Sequence, residues 1–592
     1  MSKIHFMLTF RLKFHWIVFS FLLFTACGSN HHKLAVPASN VGGEREVVTK
    51  SIVQKIKELD HKPVEERIAL YKKLKQESPN AYNFENEDEL TMYGYGFLWG
   101  DKIEDAFAIF RLIVEVFGSA NSYDSLAEAY LKKGDKKLAL TNYEKSLSIN
   151  PDNFNAEDRI EAIKYPEKKP LTPAENFGKV YTPEAYKADL DQLANSILKI
   201  HPNVHKFISH KEFTDIVEKC KAQITDKTTF AQFSYICNKI IASIHCAHTG
   251  MGGLYPEYEM LPQALKFPIQ TRWIDNKLYV VDPMNKNKIL KPGDEILSIN
   301  GVQVSALIDG IYQHIVAQGH VKTTKNHVFN KLSSGLIPYA LNLPVKYTIT
   351  IQGQNEAITL THPEKAIGTY WDYLQYCQNQ LCLEFPDDKK TALMTITSFN
   401  YYSWSNLNEF VEFIDQSFKQ IQEKGIKNLI IDVRYNTGGS QSSAIHLLRY
   451  LVDKPFTYYS KSDFPGKLVK IEGEEIIQPV KNGYNGKVLF LIDGNGNSTT
   501  GHFMSLVKVL KLGTIIGEEL GSNQFCSAGS TSCRLKNTKI NYYIANNTHI
   551  STATSQPDEK GILPDHFVHQ SIDDVIHRKD VVKEFAFGLL KR

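Results

Sequence analysis

Apolar residues change their spacing along this chain, and the changes divide it. From about residue 51 to 165 they recur at helical intervals. A stretch with four prolines in twenty residues, "YPEKKPLTPAENFGKVYTPE" from Tyr165 to Glu184, then marks a linker. Helical spacing returns over 184–250, where "YKADLDQLANSILKIHP" sets leucine and isoleucine on one face and Pro202 beyond the end. From 265 to about 360 the period moves towards two, in "KLYVVD", "DEILSING" and "VKYTITIQ". From 366 onward strand-like runs ("TALMTITSF", "KNLIIDVR", "KVLFLID", "GTIIGEE") alternate with helical ones ("LNEFVEFIDQSFKQIQEKG", "SSAIHLLRYLV", "HFMSLVKVLK"). That order predicts parallel crossover units with helices on the faces of a sheet, and functional groups collect at the carboxyl ends of such strands.

Two clusters of Gly and Asn fall at those ends, "RYNTGGS" and "DGNGNS". In the second, Gly494 and Gly496 permit a sharp turn after the strand "VLFLID" and present Ser498 at the start of the next helix. A hydroxyl placed there stands clear of the sheet, with backbone amides and the helix dipole facing any developing negative charge. The plainer alternative makes Ser498 an N-cap for a helix beginning near Thr499.

At 592 residues the chain exceeds one hydrophobic core, and roughly 150 residues per domain suggests three or four units. The balance of 68 basic and 65 acidic residues, net +3, includes no long basic block, so nothing calls for nucleic acid. Near the N-terminus, Lys3, Arg11 and Lys13 precede the apolar run "WIVFSFLLFTA", which is shorter than the roughly 20 residues a bilayer requires. A signal peptide fits better. "Phe-Thr-Ala-Cys" resembles a bacterial lipobox, with Phe24 where leucine is usual, and this implies acylation of Cys27 and a lipid-anchored protein of the bacterial cell envelope, facing the periplasm. Eight cysteines then leave seven, of which Cys377 with Cys382 and Cys526 with Cys533 are near enough in sequence to pair.

Two further resemblances concern the first half of the chain. "LWGDKIEDAFAIFRLIVEVFGSA" and "LKKGDKKLALTNYEKSLSINPDN" carry Gly-Asp turns at 100 and 134, an offset of 34 residues. This is similar to the tetratricopeptide repeat, best over 121–154, and implies helical hairpins that pack on a neighbour or a partner protein. "LKPGDEILSINGVQV" resembles the PDZ fold, whose members bind peptide C-termini along a sheet edge.

"NLIIDVRYNTGGS" resembles the "DLR-N-GG" motif of C-terminal processing (tail-specific) serine peptidases, and Ser498 follows Gly439 by 59 residues, as that family's nucleophile follows its diglycine. "GTIIGEELGSNQ" and "KGILPDHFV" resemble two later motifs of the family, so the likeness runs from about 180 to 592. One departure matters: where the processing branch carries a lysine base, this chain has Asn523. A serine hydroxyl needs another group to take its proton. "SIHCAHTGMGG" resembles the histidine segment of the branch that includes the tricorn protease core and retinoid-binding repeats, which implies His248 as the base. Glu518, Glu519 and Glu559 remain open as the carboxylate that orients it. His245 and His248 also have metal-ligand spacing with Cys246 between them, but no second cluster accompanies them, and no metal or cofactor is assigned.

The sequence reading is therefore multidomain: an all-α tetratricopeptide-like region, a small β-rich PDZ-like domain and an α/β peptidase core. Its units are a signal peptide (1–26), a tether (27–50), the helical region (51–165), a linker (166–183), a helical part of the peptidase (184–262), the PDZ-like domain (263–362) and the core (363–592). The resemblance implies peptide hydrolysis through an acyl-enzyme on Ser498, with His248 as base, Glu518 as orienting acid, and Gly438, Gly439 and Thr499 lining the oxyanion site. Expected partners are a peptide or protein substrate, a protein on the helical repeats, and membrane through the lipid alone. The rival reading is a scaffold or ligand carrier with an idle serine, since members of the same branch bind without hydrolysis and Thr500 and His502 alter the serine's surroundings. A third keeps the serine chemistry for a non-peptide ester or amide.

Overall fold

The computed structural model describes residues 50–591 apart from 169–172, 252–259, 285–288, 364, 369–376, 378, 387–389, 464–471 and 555. The signal peptide, the tether and Cys27 lie outside the described residues. Among the described residues, no helix is long and apolar enough to cross a membrane.

The first 115 or so described residues are helical, as their spacing predicts. Helices Glu87–Trp99, Ile103–Val116, Ala120–Lys133, Lys136–Ile149 and Phe154–Lys164 follow one another through short turns. Gly134 ends the third of them in the left-handed region at φ 90°, and Asp135 caps the fourth by accepting from the Leu138 amide. This arm packs on the rest of the chain at two places. Trp404 inserts among its apolar residues, with Ser403 donating to the Glu89 carboxylate and Lys57 to the Ser405 carbonyl. At the other contact, Arg534 forks onto both oxygens of Asp158, at 2.6 and 2.5 Å.

The helices Pro183–Ile200, His210–Ala222 and Phe230–Ala242 form a cap, the last two opened by capping boxes at Ser209 and Thr229. Residues 270–360 make an antiparallel sheet with its own apolar core and two helices, Val304–Tyr312 and Lys322–Ala340.

The C-terminal core is a six-stranded sheet. In spatial order its strands are His566–Phe567, Thr514–Gly517, Lys487–Ile492, Asn428–Asp432, Thr391–Ile396 and Leu381–Glu384. All pairings are parallel except that of the last strand. Buried residues run almost unbroken along the inner strands, as expected of a sheet covered on both faces. The register aligns Asp432 with Leu491 and Ile492 with Gly517, so the carboxyl ends of three neighbouring strands share one edge.

Cys377 and Cys382 form a disulfide. Cys526 and Cys533 form no disulfide with each other, because their strands Phe525–Ala528 and Thr531–Arg534 belong to two different three-stranded sheets.

Candidate active site

At the end of the strand Asn428–Asp432, Arg434 is held between two acids. It donates to both oxygens of Asp432 (2.9 and 2.7 Å) and both of Asp580 (2.7 and 2.8 Å). These charges fix the corner, and Asn436 then ties it to the serine turn. Its Oδ1 accepts from the Gly438 amide and from the Thr500 hydroxyl, both at 2.9 Å. Gly438 sits at φ 104°, and a Cβ there would fall 2.7 Å from Cβ of Ser498. Glycine is needed at this position for both reasons. Gly439, at φ 141°, is pinned against Phe399 by an isolated parallel bridge.

Ser498 occupies the turn between the strand Lys487–Ile492 and the helix Thr499–Val509 at φ 55°, ψ −126°. That conformation is costly for a residue with a Cβ, and such strain is found where a side chain must be presented. The hydroxyl caps nothing, so the N-cap alternative fails. Its turn is closed by Asn497 Oδ1, which accepts from the Ser498 amide at 2.8 Å. The Thr499 hydroxyl donates to the Gly439 carbonyl at 2.5 Å. Among the described residues, the backbone amides of Gly439 and Thr499 have no hydrogen-bond partner, whereas that of Gly438 is committed to Asn436. Two of the three expected oxyanion donors are therefore free, and Gly438 serves the turn itself.

His248 arrives from the cap by strand pairing. Gly250 and Met251, directly after it, add antiparallel to Asn541–Ile544 in the register Gly250↔Tyr543. The Thr249 hydroxyl accepts from the Ala545 amide at 3.1 Å, across 296 residues of sequence. His248 thus reaches the serine's neighbourhood, but it does not hydrogen-bond the serine. The Cys526 thiol lies between them, with Sγ 3.5 Å from Nδ1 and 3.7 Å from Nε2 of the imidazole and in contact with the Ser498 hydroxyl. Burial lowers the His248 pKa to about 4 and raises that of Cys526. Both groups are neutral near pH 7.

Comparison with known proteins can be set beside this geometry. The model of peptidase family S41 matches residues 390–568, which holds the diglycine corner, the serine turn and the Cys526 strand. That segment is similar to the core of S41 peptidases, a family of serine-type peptidases. The chain is similar in structure to mature CPAF at a TM-score of 0.46 and 13% identity, covering 68% of this chain and 96% of that one. For a photosystem II D1 C-terminal processing protease the values are 0.31, 13%, 66% and 96%. For the tricorn protease they are 0.31, 14%, 69% and 36%. Such distances carry no residue's role across. No curated protein sequence matches the chain.

Within the matched segment the acidic candidates lie elsewhere than beside His248. Glu518 accepts from His327 Nε2 at 3.1 Å, with His327 on the helix Lys322–Ala340 of the antiparallel domain. Glu519 accepts from the Gly561 amide at 2.9 Å and so holds the "KGILPD" segment. Glu559 lines an open cleft of ≈ 780 Å³ with Phe207, His320, Gln524 and Asp558. Among the described residues, no carboxylate faces His248. The structure brings Ser498, His248, Gly439 and Thr499 to one place and leaves Glu518 out of it, because the 518 carboxylate is drawn to a nearer imidazole.

Asn523, standing where the family's processing branch has lysine, donates through Nδ2 to the carbonyls of Pro557 (3.1 Å), Asp558 (2.9 Å) and Lys560 (2.6 Å). It organises a loop and offers no base. His245 turns away from His248: its Nδ1 meets the Gly319 carbonyl at 2.9 Å and its ring packs edge-on to His320. Among the described residues, no group of three His, Cys, Asp or Glu could hold a metal ion. His502 is buried edge-on to Tyr458 and Tyr459, one turn into the helix that follows Ser498. The residue that the sequence reading missed is Cys526. A single cysteine in a short strand gives no pattern to read, and its position three residues after Asn523 was the only hint.

Proposed function

We propose that this chain hydrolyses peptide bonds through an acyl-enzyme on Ser498. Its hydroxyl attacks the carbonyl carbon, the proton ends on His248, and the amides of Gly439 and Thr499 bind the oxyanion. The observation that carries the reading is the strained, uncapped Ser498 beside two backbone amides without partners. Imidazole then returns the proton to the leaving amine, and water releases the acyl group. The cleft with Phe207 and Glu559 is the place for an extended peptide.

The same proposal takes Cys27 as a lipid-anchored N-terminus at the bacterial envelope, facing the periplasm. It takes the helical arm as tetratricopeptide-like and open to a protein partner, and the 270–360 sheet as a PDZ-like peptide-binding module. A scaffold with an idle serine is favoured by one observation, the absence of a carboxylate on His248 among the described residues.

Fluorophosphonate labelling and hydrolysis of an unstructured peptide separate the readings. The parent is expected to label at Ser498 and to cleave, and Ser498→Ala to do neither. A folded parent that does not label, or a Ser498→Ala protein that cleaves as fast, refutes the peptidase.

A further inference from the structure

One side chain, Cys526, has both Ser498 and His248 beside its sulfur. Cys526 is 2% exposed on the strand Phe525–Ala528 and is fixed by pairing with His549. Its sulfur touches the Ser498 hydroxyl on one side and the His248 ring on the other. A second acceptor for its hydrogen is the Ser527 carbonyl at 3.5 Å, which the buried Cys246 thiol also approaches, at 3.8 Å. Ser498 and His248 are both half-buried whereas Cys526 is buried, so the thiol is enclosed and the hydroxyl is presented.

We infer that Cys526 is a catalytic residue of the Ser498 reaction, a neutral thiol that relays the serine proton to His248. The inference rests on the peptidase reading above. As the Oγ–C bond forms and the carbonyl electron pair moves to oxygen, the Oγ proton passes to Sγ and the Sγ proton passes to the ring nitrogen. The products of the step are a tetrahedral oxyanion, a neutral thiol and an imidazolium. Collapse breaks the C–N bond, and the same two transfers run backwards to protonate the amine. Water repeats the sequence on the acyl-enzyme, and no other reactant is needed.

Two features support a relay over a competing nucleophile. Burial raises the thiol pKa, so the sulfur keeps its hydrogen and can both donate and accept. Burial lowers the His248 pKa to about 4, so the imidazole presents an unprotonated nitrogen throughout the neutral range.

The test compares Cys526→Ser, which keeps a donor and acceptor, with Cys526→Ala and the near-isosteric, apolar Cys526→Val. The readouts are the rate of fluorophosphonate labelling, peptide hydrolysis, and the proton inventory of acylation in mixed light and heavy water. The parent and Cys526→Ser are expected to show a bowed inventory, since two protons move together, with rates within about tenfold of each other. Cys526→Ala and Cys526→Val are expected to lose about 10²-fold in acylation and to give a linear inventory. Thermal melts show whether a lost rate is lost structure. A core that melts early in all three variants, with equal loss of rate, overturns the relay in favour of packing. Equal or faster acylation by the apolar variants also overturns it and makes the thiol an obstacle. A parent that never labels removes the peptidase reading itself, whereas a parent that labels beside an equally fast Cys526→Ala removes the relay alone.

Discussion

Two histidines flank the serine turn, and their surroundings push them in opposite directions. His248 comes from the cap and meets a thiol, and burial takes its pKa to about 4. His327 comes from the antiparallel domain and lies against Gly494 and Asn495 on the other side of the turn, with Nδ1 3.2 Å from the Asn495 amide nitrogen. Burial would lower it too, but its hydrogen bond to Glu518 and the charge of Asp493 raise it above the usual value. Desolvation acts on both rings, and the carboxylate decides the sign. By appearance His327–Glu518 is the better acid–base pair, yet its helix docks the back of the turn: Thr324 donates to the Gly494 carbonyl and Thr323 to that of Glu519, both at 2.9 Å. A histidine with a carboxylate here holds two domains together, and the one without is the residue proposed above for proton transfer.

The sharpest way to break this contrast is to remove each ring. His248→Ala is expected to slow acylation of Ser498 by about 10²–10⁴-fold, and His327→Ala by less than about tenfold. Labelling kinetics read both, and the reverse order would exchange the two roles.

The next effect concerns two rings that are buried and lowered by desolvation. His201 and His502 are 6% and 2% exposed, with pKa values lowered to about 4 and about 3. A depressed histidine binds its proton better in the unfolded chain, so stability is complete above the unfolded value near 6.5 and is lost as pH falls. Each costs about 1.4 kcal/mol per pH unit until its folded value is reached. Denaturant melts between pH 7 and 5 check the slope, which is expected to shrink in His502→Phe.

A smaller change tests the acid. Glu518→Gln is expected to cost about 1–3 kcal/mol by weakening the contact between domains, and to leave labelling of Ser498 within a few-fold of the parent. The smallest effect is spectroscopic: the His327 ring is expected to titrate above 6.5 in the parent, and lower in Glu518→Gln. If His248 is the base, activity is expected to hold from neutrality until the pH approaches about 4. Nuclear magnetic resonance of the ring protons and a pH–rate profile check the pair.

What the sequence made legible follows from how local each feature is. The serine turn needs a strand end, two glycines and a helix start, all within a dozen residues, and "LIDGNGNSTTGHF" writes them in order. The diglycine corner is equally local. His248 was legible as a residue but not as a position, because the strand that places it, Gly250–Met251, has its partner in Asn541–Ile544. The partner of Glu518 is not legible in the sequence, because His327 belongs to another domain and nothing in its helix announces a charge partner. Cys526 was read only as a possible mate for Cys533, since sequence proximity does not reveal that the two strands enter separate sheets.

The helical arm has a bearing on all this that its distance from the serine conceals. Trp404 and Ser403, seated in the arm, stand a few residues beyond Phe399, whose amide donates to the Gly438 carbonyl at 3.0 Å and whose carbonyl accepts from Ser440 at 2.8 Å. The diglycine is thus laced to the arm through a single short loop. A displacement of the arm is therefore expected to reach Gly438 and Gly439 through the stretch of chain from Phe399 to Trp404.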